Sequence, residues 1–540
     1  MLGIIKKEKK FLFLLFFVSF VIRAAVFHFY LSKNQRFWQI DSDMYHQLAV
    51  SLSKGKGVVL EGGQPNFYRL PGYSLFLVPF YNVFGVKYLN NVGPDQKGVF
   101  IALWGQLCIA ALIPLLIFFL SLTLFPSILL AKIASLWSVF HLGFVLYSGF
   151  FMTESLFILF FLLFAILFLS NIHLFFCPVK YALNKLKKIS IKGRKGNFFN
   201  IYIRGFCMEP GCESQDFLNL FEEDIKVRGG YSLSLSEVPS PGLFAAGLFL
   251  GIAGMIRPVG HYFLILSLLI ILFSHGELRS KLKRGLTLFG GFIFPVLPWL
   301  IRNYVLLGYI FFHTLSGIHF LYLSAARVAM HTHNCSYWDA REILNKEAQK
   351  SIFNKEKALG RKLNEIEVCK EREKIAVKCF KQKPFIAFKN WATDILRTSL
   401  SLYSAELLYL DSGREEYDYF RKGRSVWSMF ERYLFPQTTK WYLKIIVYLE
   451  ILMFLFIILG FVFGIGKVIY NLFFYKRASD YFIFCNWKRS ILFIVLFIVV
   501  SLAGGYARMR LPAEAFLIIL SLSFWISVLS KQRLYSVKNS

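Results

Sequence analysis

Long apolar runs constrain this chain more than any other feature of its sequence. A helix needs about 20 predominantly apolar residues to cross the hydrocarbon core of a bilayer. Residues 242–274 exceed one such length and are interrupted at Arg257-Pro258, where proline breaks the backbone ladder, so they predict two helices. Further runs of suitable length lie near 11–30, 99–122, 127–147, 149–172, 285–305, 443–467, 489–506 and 511–530. The sequence therefore predicts an all-α polytopic membrane protein with about ten transmembrane helices.

Basic residues in the connecting segments indicate how these helices are oriented. The 540 residues include 62 Lys and Arg against 32 Asp and Glu, a formal net charge of +30. In a soluble domain this excess would suggest a nucleic-acid partner, but in membrane proteins Lys and Arg accumulate in short cytoplasmic loops. With the N-terminus inside, the basic segments all fall on the cytoplasmic side: 6–10, 185–195, 279–284 and 476–488. We expect a multi-pass protein of the cell (inner) membrane with both termini cytoplasmic and no nucleic-acid partner.

The expected spans divide the chain into five parts. These are an N-terminal transmembrane module (1–172), a basic cytoplasmic insertion (173–241), central transmembrane helices (242–305), a mostly helical outside region (306–442) and C-terminal transmembrane helices (443–540). In the first module, residues 31–97 form an outside loop with two predicted interfacial helices. One begins near Ser42, where Ser42 or Asp41 can cap a stripe of apolar residues at helical spacing. The other, over Pro71 to Phe84, is short, apolar and either interfacial or re-entrant.

Charged residues from separate segments are expected at the outer face of the membrane. On the span count above they are Asp41, Asp43, Arg69, Glu154, Arg257, Arg302 and Arg508. Charges at this depth are costly unless they have partners, and an anionic, membrane-embedded ligand would be one. Five of them also have a plain structural explanation: Asp41 as a helix cap, Asp43 as a solvated or supporting residue, Glu154 as a first-turn charge at a helix start, and Arg257 and Arg302 as anchors at the interface.

Transfer of an activated sugar is a reaction that these residue types would support. An acceptor hydroxyl or amine needs a carboxylate base beside it. The departing phosphate needs positive charge, or a metal, where its negative charge develops. A carboxylate pair next to a group of arginines at the membrane face supplies both, and the polyprenyl tail of such a donor would lie between the helices.

A series of short motifs spans nearly the whole chain. They are Asp41-Ser42-Asp43-Met44-Tyr45, Arg69-Leu70-Pro71-Gly72-Tyr73, Gln106, Thr153-Glu154-Ser155-Leu156-Phe157, Arg257-Pro258, Pro298-Trp299-Leu300-Ile301-Arg302-Asn303-Tyr304 and Arg508-Met509-Arg510-Leu511-Pro512. In this order they resemble the GT-C membrane glycosyltransferases, and among them the bacterial relatives of the protein O-mannosyltransferases and the lipid A aminoarabinose transferase. The resemblance implies a GT-C-like bundle whose first outside loop is catalytic, and a polyprenyl-phosphate sugar as the donor.

The resemblance also assigns roles to particular residues. Asp41 matches the functional carboxylate of that loop, with Asp43 as a second catalytic candidate, and Arg508 or Arg510 matches the residue that binds the donor phosphate. The expected phosphate-binding set is Arg69, Arg257, Arg302, Arg508 and Arg510. Tyr45, Tyr73 and Glu154 are the substrate-binding candidates, although tyrosines at this depth are also typical of an aromatic belt. The expected acceptor is a lipid, a glycan or a protein, and membrane lipids are further partners.

Two alternatives concern the metal and the class of protein. The aminoarabinose transferase carries a glutamate before lysine-proline that can hold a metal, whereas this chain has Arg69-Leu70-Pro71. We therefore expect neither a metal nor another cofactor, and a divalent cation held by Asp41 and Asp43 is the alternative.

The competing class is a transporter or flippase of lipid-linked sugars. Transporters place such charges near the midplane and show internal repeats, whereas here the charges are expected at one face and no repeat is visible.

Overall fold

Helices form nearly all the regular structure in the computed structural model, which describes residues 2–60, 63–86, 97–176, 241–274, 277–412, 426–436, 438–474, 478–499 and 506–538. Within these ranges the one β-type contact is an isolated bridge between Val59 and Pro65. The expected all-α class is therefore confirmed. The expected cytoplasmic insertion at 173–241 lies almost wholly outside the described residues.

In the N-terminal module, the described residues form eight α-helices. They are α1 (Leu2–Val26, continued by a π-helical turn at Phe27–Leu31), α2 (Ser42–Ser53), α3 (Gly72–Phe84), α4 (Lys97–Ala111), α5 (Ile113–Leu124), α6 (Ile128–Phe140), α7 (Leu142–Gly149) and α8 (Glu154–Phe176). Helices α2 and α3 are the two short helices expected in the first outside loop. Helices α6 and α7 together have the length of a span but bend by 51° at His141. The bend lets α7 pack against the C-terminal end of α1, where Gly149 meets Leu31 of the π-helical turn.

The central module is a group of three closely packed helices. They are α9 (Pro241–Ile256), α10 (Val259–Leu272) and α11 (Leu278–Leu307). The break between α9 and α10 falls at Arg257-Pro258, as the sequence predicts. Helix α11 ends at Gly308, whose φ of +75° places it in the left-handed region that glycine adopts without strain.

The segment after α11 is mostly helical, as expected. Its helices are α12 (Leu315–Ile318, continued by a π-helical turn at His319–Ala325), α13 (Ala326–His333), α14 (Tyr337–Leu359), α15 (Glu365–Gln382), α16 (Pro384–Leu400), α17 (Ser404–Ser412) and α18 (Val426–Leu434). Helices α14 and α15 both begin with a capping box, at Ser336 and Asn364. This segment buries a small apolar core of its own around Leu321, Leu344 and Ile375.

The C-terminal helices complete the membrane bundle. They are α19 (Trp441–Phe474), α20 (Ala478–Val499), α21 (Ala507–Arg510) and α22 (Glu514–Lys538). Phe161 of α8 packs against Phe497 of α20 and Phe263 of α10, with ring centroids 4.8 and 4.7 Å apart. This aromatic group joins the N-terminal, central and C-terminal helices in one core.

Six helical segments among the described residues are long and apolar enough to cross a membrane: Gly3–Leu31, Lys97–Leu124, Glu154–Ile172, Leu278–Leu307, Trp441–Asn471 and Ala507–Leu529. The bent pair α6–α7 raises the number to seven, and α9 and α10 are shorter apolar helices. The protein is thus an all-α polytopic membrane protein, and its helices bring the ends of several distant segments together.

Candidate functional site

Asp41 lies at the start of α2, but its carboxylate does not cap that helix. It makes no capping hydrogen bond. Its Oδ1 instead accepts a hydrogen bond from Nη2 of Arg69 at 2.5 Å, and its Oδ2 lies 3.5 Å from Nη2 of Arg508. The hydroxyl of Ser42 donates to the carbonyl of Phe151 at 2.9 Å, which ties the start of α2 to the chain before α8. The expected capping by Ser42 or Asp41 is therefore wrong, because both side chains have tertiary partners.

The chain before α3 holds Arg69 in place through a local turn. The side-chain oxygen of Asn66 accepts from the backbone N–H groups of Tyr68 and Arg69 at 3.2 Å each, and its amide donates to the carbonyl of Arg69 at 2.7 Å. Asparagine commonly stabilises turns in this way. The guanidinium of Arg69 then lies over the rings of Tyr68 and Tyr45, 4.9 and 5.5 Å from their centroids. The ring of Tyr45 thus packs against one face of the Arg69 guanidinium and helps to hold it in position.

Glu154 is the buried centre of the charged group. It is fully buried at the first residue of α8, where the helix dipole favours a negative charge. Its Oε1 accepts from Nη1 of Arg257 at 3.0 Å and also pairs with Nε of Arg508. Its Oε2 has no hydrogen-bond partner among the described residues. A single carboxylate therefore orients two arginines from opposite ends of the chain.

We call the five charged residues Asp41, Arg69, Glu154, Arg257 and Arg508 the ionic cluster. Each comes from a different segment, and three guanidinium groups against two carboxylates leave a net charge of +1. The exposed fraction of the side chain rises from 0% for Glu154 to 14% for Arg257, 22% for Arg508 and 26% for Asp41. The accessible edge of the cluster therefore consists of Asp41 and the arginines, and the local charge suits an anion.

The arginines decide the protonation state of Asp41. Burial raises the pKa of this carboxyl group, but the guanidinium groups of Arg69 and Arg508 outweigh burial and hold the pKa below its usual value. Asp41 is therefore ionised at neutral pH and is a weak base while both arginines hold it. An anionic ligand that draws the arginines toward itself would raise the basicity of Asp41.

The structure places the other expected carboxylate and tyrosine outside this cluster. Asp43 is exposed, and its Oδ1 accepts from the indole N–H of Trp38 at 2.9 Å. Tyr73 is fully buried, and its hydroxyl donates to Gln106 at 2.7 Å. Gln106 in turn donates to the carbonyl of Phe150 at 2.7 Å. These contacts make Tyr73 and Gln106 a link between α3, α4 and the chain before α8.

Arg302 and Arg510 bind backbone carbonyls. Arg302 donates to the carbonyls of Val58 and Asn66, at 3.0 and 3.2 Å, and so joins α11 to the loop that carries Arg69. Arg510 lies only two residues from Arg508 but has different partners. It pairs with Glu514 at 2.6 Å and donates to carbonyls at the end of α16, those of Thr398, Ser399 and Ser401.

Sequence reasoning missed three residues that lie near the ionic cluster. Glu406 of α17 accepts from the hydroxyl of Tyr147 at 3.0 Å, and burial raises the pKa of its carboxyl group despite the nearby charge of Arg508. An acidic residue within the apolar stretch from Leu402 to Leu410 was the available signal. His313 and His319 follow α11 and lie within electrostatic reach of Arg69. Nothing in their local sequence distinguishes them from the other histidines of the chain.

The expected metal alternative depends on Asp41 and Asp43 acting together. The two carboxylates have different partners, namely arginines for Asp41 and Trp38 for Asp43. Among the described residues, no group of three or more His, Cys, Asp or Glu side chains is placed to hold a metal ion. A cation at this site would therefore need the substrate or water for most of its ligands.

Comparisons with known proteins add no assignment. No protein-family model, no curated protein and no solved structure matches the chain. The ionic cluster and the short motifs that resemble the GT-C enzymes are therefore the observations on which a function has to be argued.

Proposed function

We propose that this protein is an integral membrane glycosyltransferase. It would transfer a sugar from a polyprenyl-phosphate donor to a lipid, glycan or protein acceptor at the membrane face that carries the ionic cluster. The observation that carries the proposal is the partly exposed Asp41 carboxylate held by Arg69 and Arg508 in a cluster of net positive charge. This transfer needs a general base and a group that binds an anion. Asp41 can act as the base, and Arg69 and Arg508, which contact it directly, can bind the anion.

The proposed reaction uses the arginines and Asp41 in sequence. The donor phosphate competes with Asp41 for Arg69 and Arg508, since both form charge-assisted hydrogen bonds with anionic oxygens. Asp41, with its pKa then closer to its usual value, accepts the proton of the acceptor hydroxyl. The acceptor oxygen bonds to the anomeric carbon as the bond from that carbon to the phosphate oxygen breaks. Polyprenyl phosphate leaves with the electron pair, and the arginines stabilise its second negative charge.

The remaining residues of the site have supporting roles in this proposal. Glu154 holds Arg257 and Arg508 in position, so that their guanidinium groups need not reorganise when the phosphate binds. Arg302 and Arg510 act as positioning residues, because their hydrogen bonds go to backbone carbonyls of the first loop and of α16. Tyr45 positions Arg69, and Asp43 lies outside the transfer step.

The proposal includes a GT-C-like arrangement of about ten spans. Three helices would add to the seven counted above. Two are the shorter apolar helices α9 and α10, and the third is α20, which packs against α22. With the N-terminus cytoplasmic, this count places the ionic cluster on the outside of the cell membrane and the C-terminus in the cytoplasm, which keeps the short basic loops inside.

A transfer assay in vesicles tests the proposal. The purified protein is reconstituted and incubated with polyprenyl-phosphate sugars that carry a radiolabel in the sugar, and the products are separated by extraction into organic solvent. We expect label to move to an acceptor, or to water by hydrolysis, in a reaction that Arg508→Lys abolishes. Label that crosses the bilayer while still attached to the lipid would instead identify a transporter or flippase. Intact donor on its original side would contradict both activities for the sugars supplied.

A further inference from the structure

Helix α16 turns its polar side toward the protein interior and its apolar side outward. Its inward side carries Asp394, Arg397 and Thr398, which are between 0% and 4% exposed. Its outward side carries Phe385, Phe388 and Leu396, which are 76%, 60% and 51% exposed. A helix on a water-soluble surface shows the opposite arrangement, with charged residues outward and apolar residues inward. The outward side of α16 therefore does not suit water.

Specific partners hold the polar side of α16 inward. Both carboxylate oxygens of Asp394 pair with the guanidinium of Arg327 from α13, with Nη1 to Oδ1 at 2.6 Å. Arg510 binds the carbonyls of Thr398 and Ser399 in the last turn, at 2.9 and 2.5 Å. These pairs fix the rotation of α16 about its axis, because turning the apolar side inward would leave buried charges without partners.

The position of α16 follows from the helices that it contacts. Arg510 lies in the first turn of the span Ala507–Leu529, so the last turn of α16 lies at the membrane face where that span begins. Arg508 of the ionic cluster belongs to the same turn. Helix α16 also packs against α20 and α18, which expose large apolar side chains of their own, among them Val495 and Trp427 at 46% and 78%. The apolar side of α16 thus lies next to other exposed apolar side chains.

The opposite end of α16 is basic. Lys381 and Lys383 precede the helix and Lys389 lies in its second turn, and all three are exposed. Lysines beside an apolar helix face are typical of helices that lie in a membrane interface that contains anionic lipids. A second copy of this chain is a poorer partner, since a symmetric contact over this patch would bring like charges together.

We propose that α16 lies in the membrane interface at the face that carries the ionic cluster, with Phe385, Phe388 and Leu396 among the acyl chains. Lys381, Lys383 and Lys389 then lie at the level of anionic headgroups. This contact sets the depth at which the segment of α12 to α18 lies on the membrane. It rests on the polarity and contacts of α16 and does not depend on the enzymatic activity.

Photocrosslinking in vesicles tests this contact. Phe388→p-benzoylphenylalanine keeps an aromatic side chain, so the fold should be retained. The control is Lys346→p-benzoylphenylalanine on α14, where Lys346 forms an exposed ion pair with Glu342. After irradiation in vesicles of phosphatidylethanolamine and phosphatidylglycerol, mass spectrometry of the intact protein should show lipid adducts at position 388 and none at 346.

Three results would overturn the proposal. They are equal adduct yields at the two positions, no lipid adduct at 388, or a crosslink from 388 to a second copy of the chain. The headgroup contact is tested separately by the replacements Lys381→Gln, Lys383→Gln and Lys389→Gln in the chain that carries the 388 crosslinker. We expect the share of phosphatidylglycerol among the adducts to fall to its share of the vesicle lipid. An unchanged excess of phosphatidylglycerol would refute the role of these lysines.

Discussion

At the scale of single residues, the arginines of the site differ in what they hold. Arg257 and Arg508 share the buried Glu154, whereas Arg69 and Arg508 share the partly exposed Asp41. Arg508 is therefore the one member of the ionic cluster that contacts both carboxylates. Breaking a buried charge pair by removing one partner costs about 3–5 kcal/mol, so alanine at Arg508 would affect folding as well as function. Lysine is the better probe, because it keeps the charge but cannot bind two acceptors in one plane.

Asp41→Asn should leave the protein folded and abolish sugar transfer. Asparagine has the same shape and still accepts a hydrogen bond from Arg69, but it is not a base. A positioned general base contributes on the order of 100-fold to 10,000-fold in rate, so transfer in the vesicle assay should fall by at least about 100-fold. The melting profile measured in detergent should show a folded protein.

Asp43→Asn is the matched control for that variant. It makes the same chemical change two residues away, on an exposed side chain whose partner is the indole of Trp38. We expect turnover within about threefold of the native value, since a neutral amide oxygen can accept the same hydrogen bond. Near-normal turnover in Asp41→Asn, or a loss in Asp43→Asn as large as that in Asp41→Asn, would remove Asp41 from the role of base.

Transfer should survive thorough chelation of divalent cations. The leaving group is a phosphate monoester, and arginines can stabilise its charge through paired hydrogen bonds. The cluster already has a net positive charge without a cation. The measurement is transfer before and after treatment with a chelator. Activity that disappears and returns with magnesium or manganese would contradict this expectation and make Asp43 a candidate ligand.

At the scale of elements, glycines allow α9 and α11 to pack backbone against backbone. A Cβ atom at Gly291 would lie 2.1 Å from the carbonyl oxygen of Phe244, and one at Gly247 would lie 2.1 Å from that of Leu288. Real side chains do not approach this closely, and a backbone carbonyl cannot rotate away. Small residues at helix contacts are a common device in membranes, where packing replaces the hydrophobic driving force.

Gly291→Leu should therefore destabilise the protein, whereas Gly290→Leu should be tolerated. At Gly290 a new Cβ atom meets no other atom within 4 Å. Overpacking typically costs about 1–3 kcal/mol, which should lower the melting temperature of the Gly291 variant in detergent relative to both the native chain and the Gly290 variant. Equal melting temperatures for the two variants would show that α9 and α11 do not pack this closely.

The turn that follows α11 should loosen in acid because of two histidines. Burial, together with the nearby Arg69 guanidinium, lowers the pKa of His313 and of His319 from 6.5 to about 4. The open form therefore binds more protons than the folded form between these values, and the stability of the segment is complete above 6.5 and is lost as the pH falls toward 4. Protection of backbone amides from hydrogen exchange over residues 313–325 should fall across that interval.

The histidine assignment has its own control. His313→Gln and His319→Gln together remove both titrating groups, so the protection should then be nearly independent of pH once the intrinsic exchange rate is accounted for. A native chain with constant protection across the same interval would show that the two imidazoles are not buried. A steep dependence that persists in the double variant would assign the effect to groups other than these two imidazoles.

At the scale of the whole molecule, the proposed topology makes a prediction for labelling. Single cysteines are introduced by Lys56→Cys, Lys192→Cys and Lys346→Cys after the native cysteines are replaced by serine. A membrane-impermeant maleimide added to intact cells should label positions 56 and 346, because the first loop and the segment of α12 to α18 are expected outside. Position 192 should react only after the membrane is opened. Labelling of position 192 from outside would contradict the topology and the outer position of the ionic cluster.

The sequence by itself determined the features that depend on local chain properties. Span length and the loss of a backbone donor at proline do not depend on distant neighbours, so the apolar runs and the break at Arg257-Pro258 predicted the helices closely. The sequence also predicted that charged residues from several segments lie at one membrane face, because charges near a bilayer need partners wherever they lie. Asp41, Arg69, Glu154, Arg257 and Arg508 were all expected at that face, and the structure brings all five together.

Only the tertiary structure decided which of these charges meet. Arg508 and Arg510 share one motif, yet residues two apart on a helix point about 200° away from each other, so one contacts Asp41 and Glu154 while the other contacts Glu514 and α16. The same limit applies to α16. Its sequence shows an apolar side and a polar side, but the inward direction depends on Arg327 and Arg510, which approach from elements distant in the chain. The local sequence allows either arginine to join the ionic cluster and either side of α16 to face inward. Contacts with segments distant in the chain decide between these arrangements.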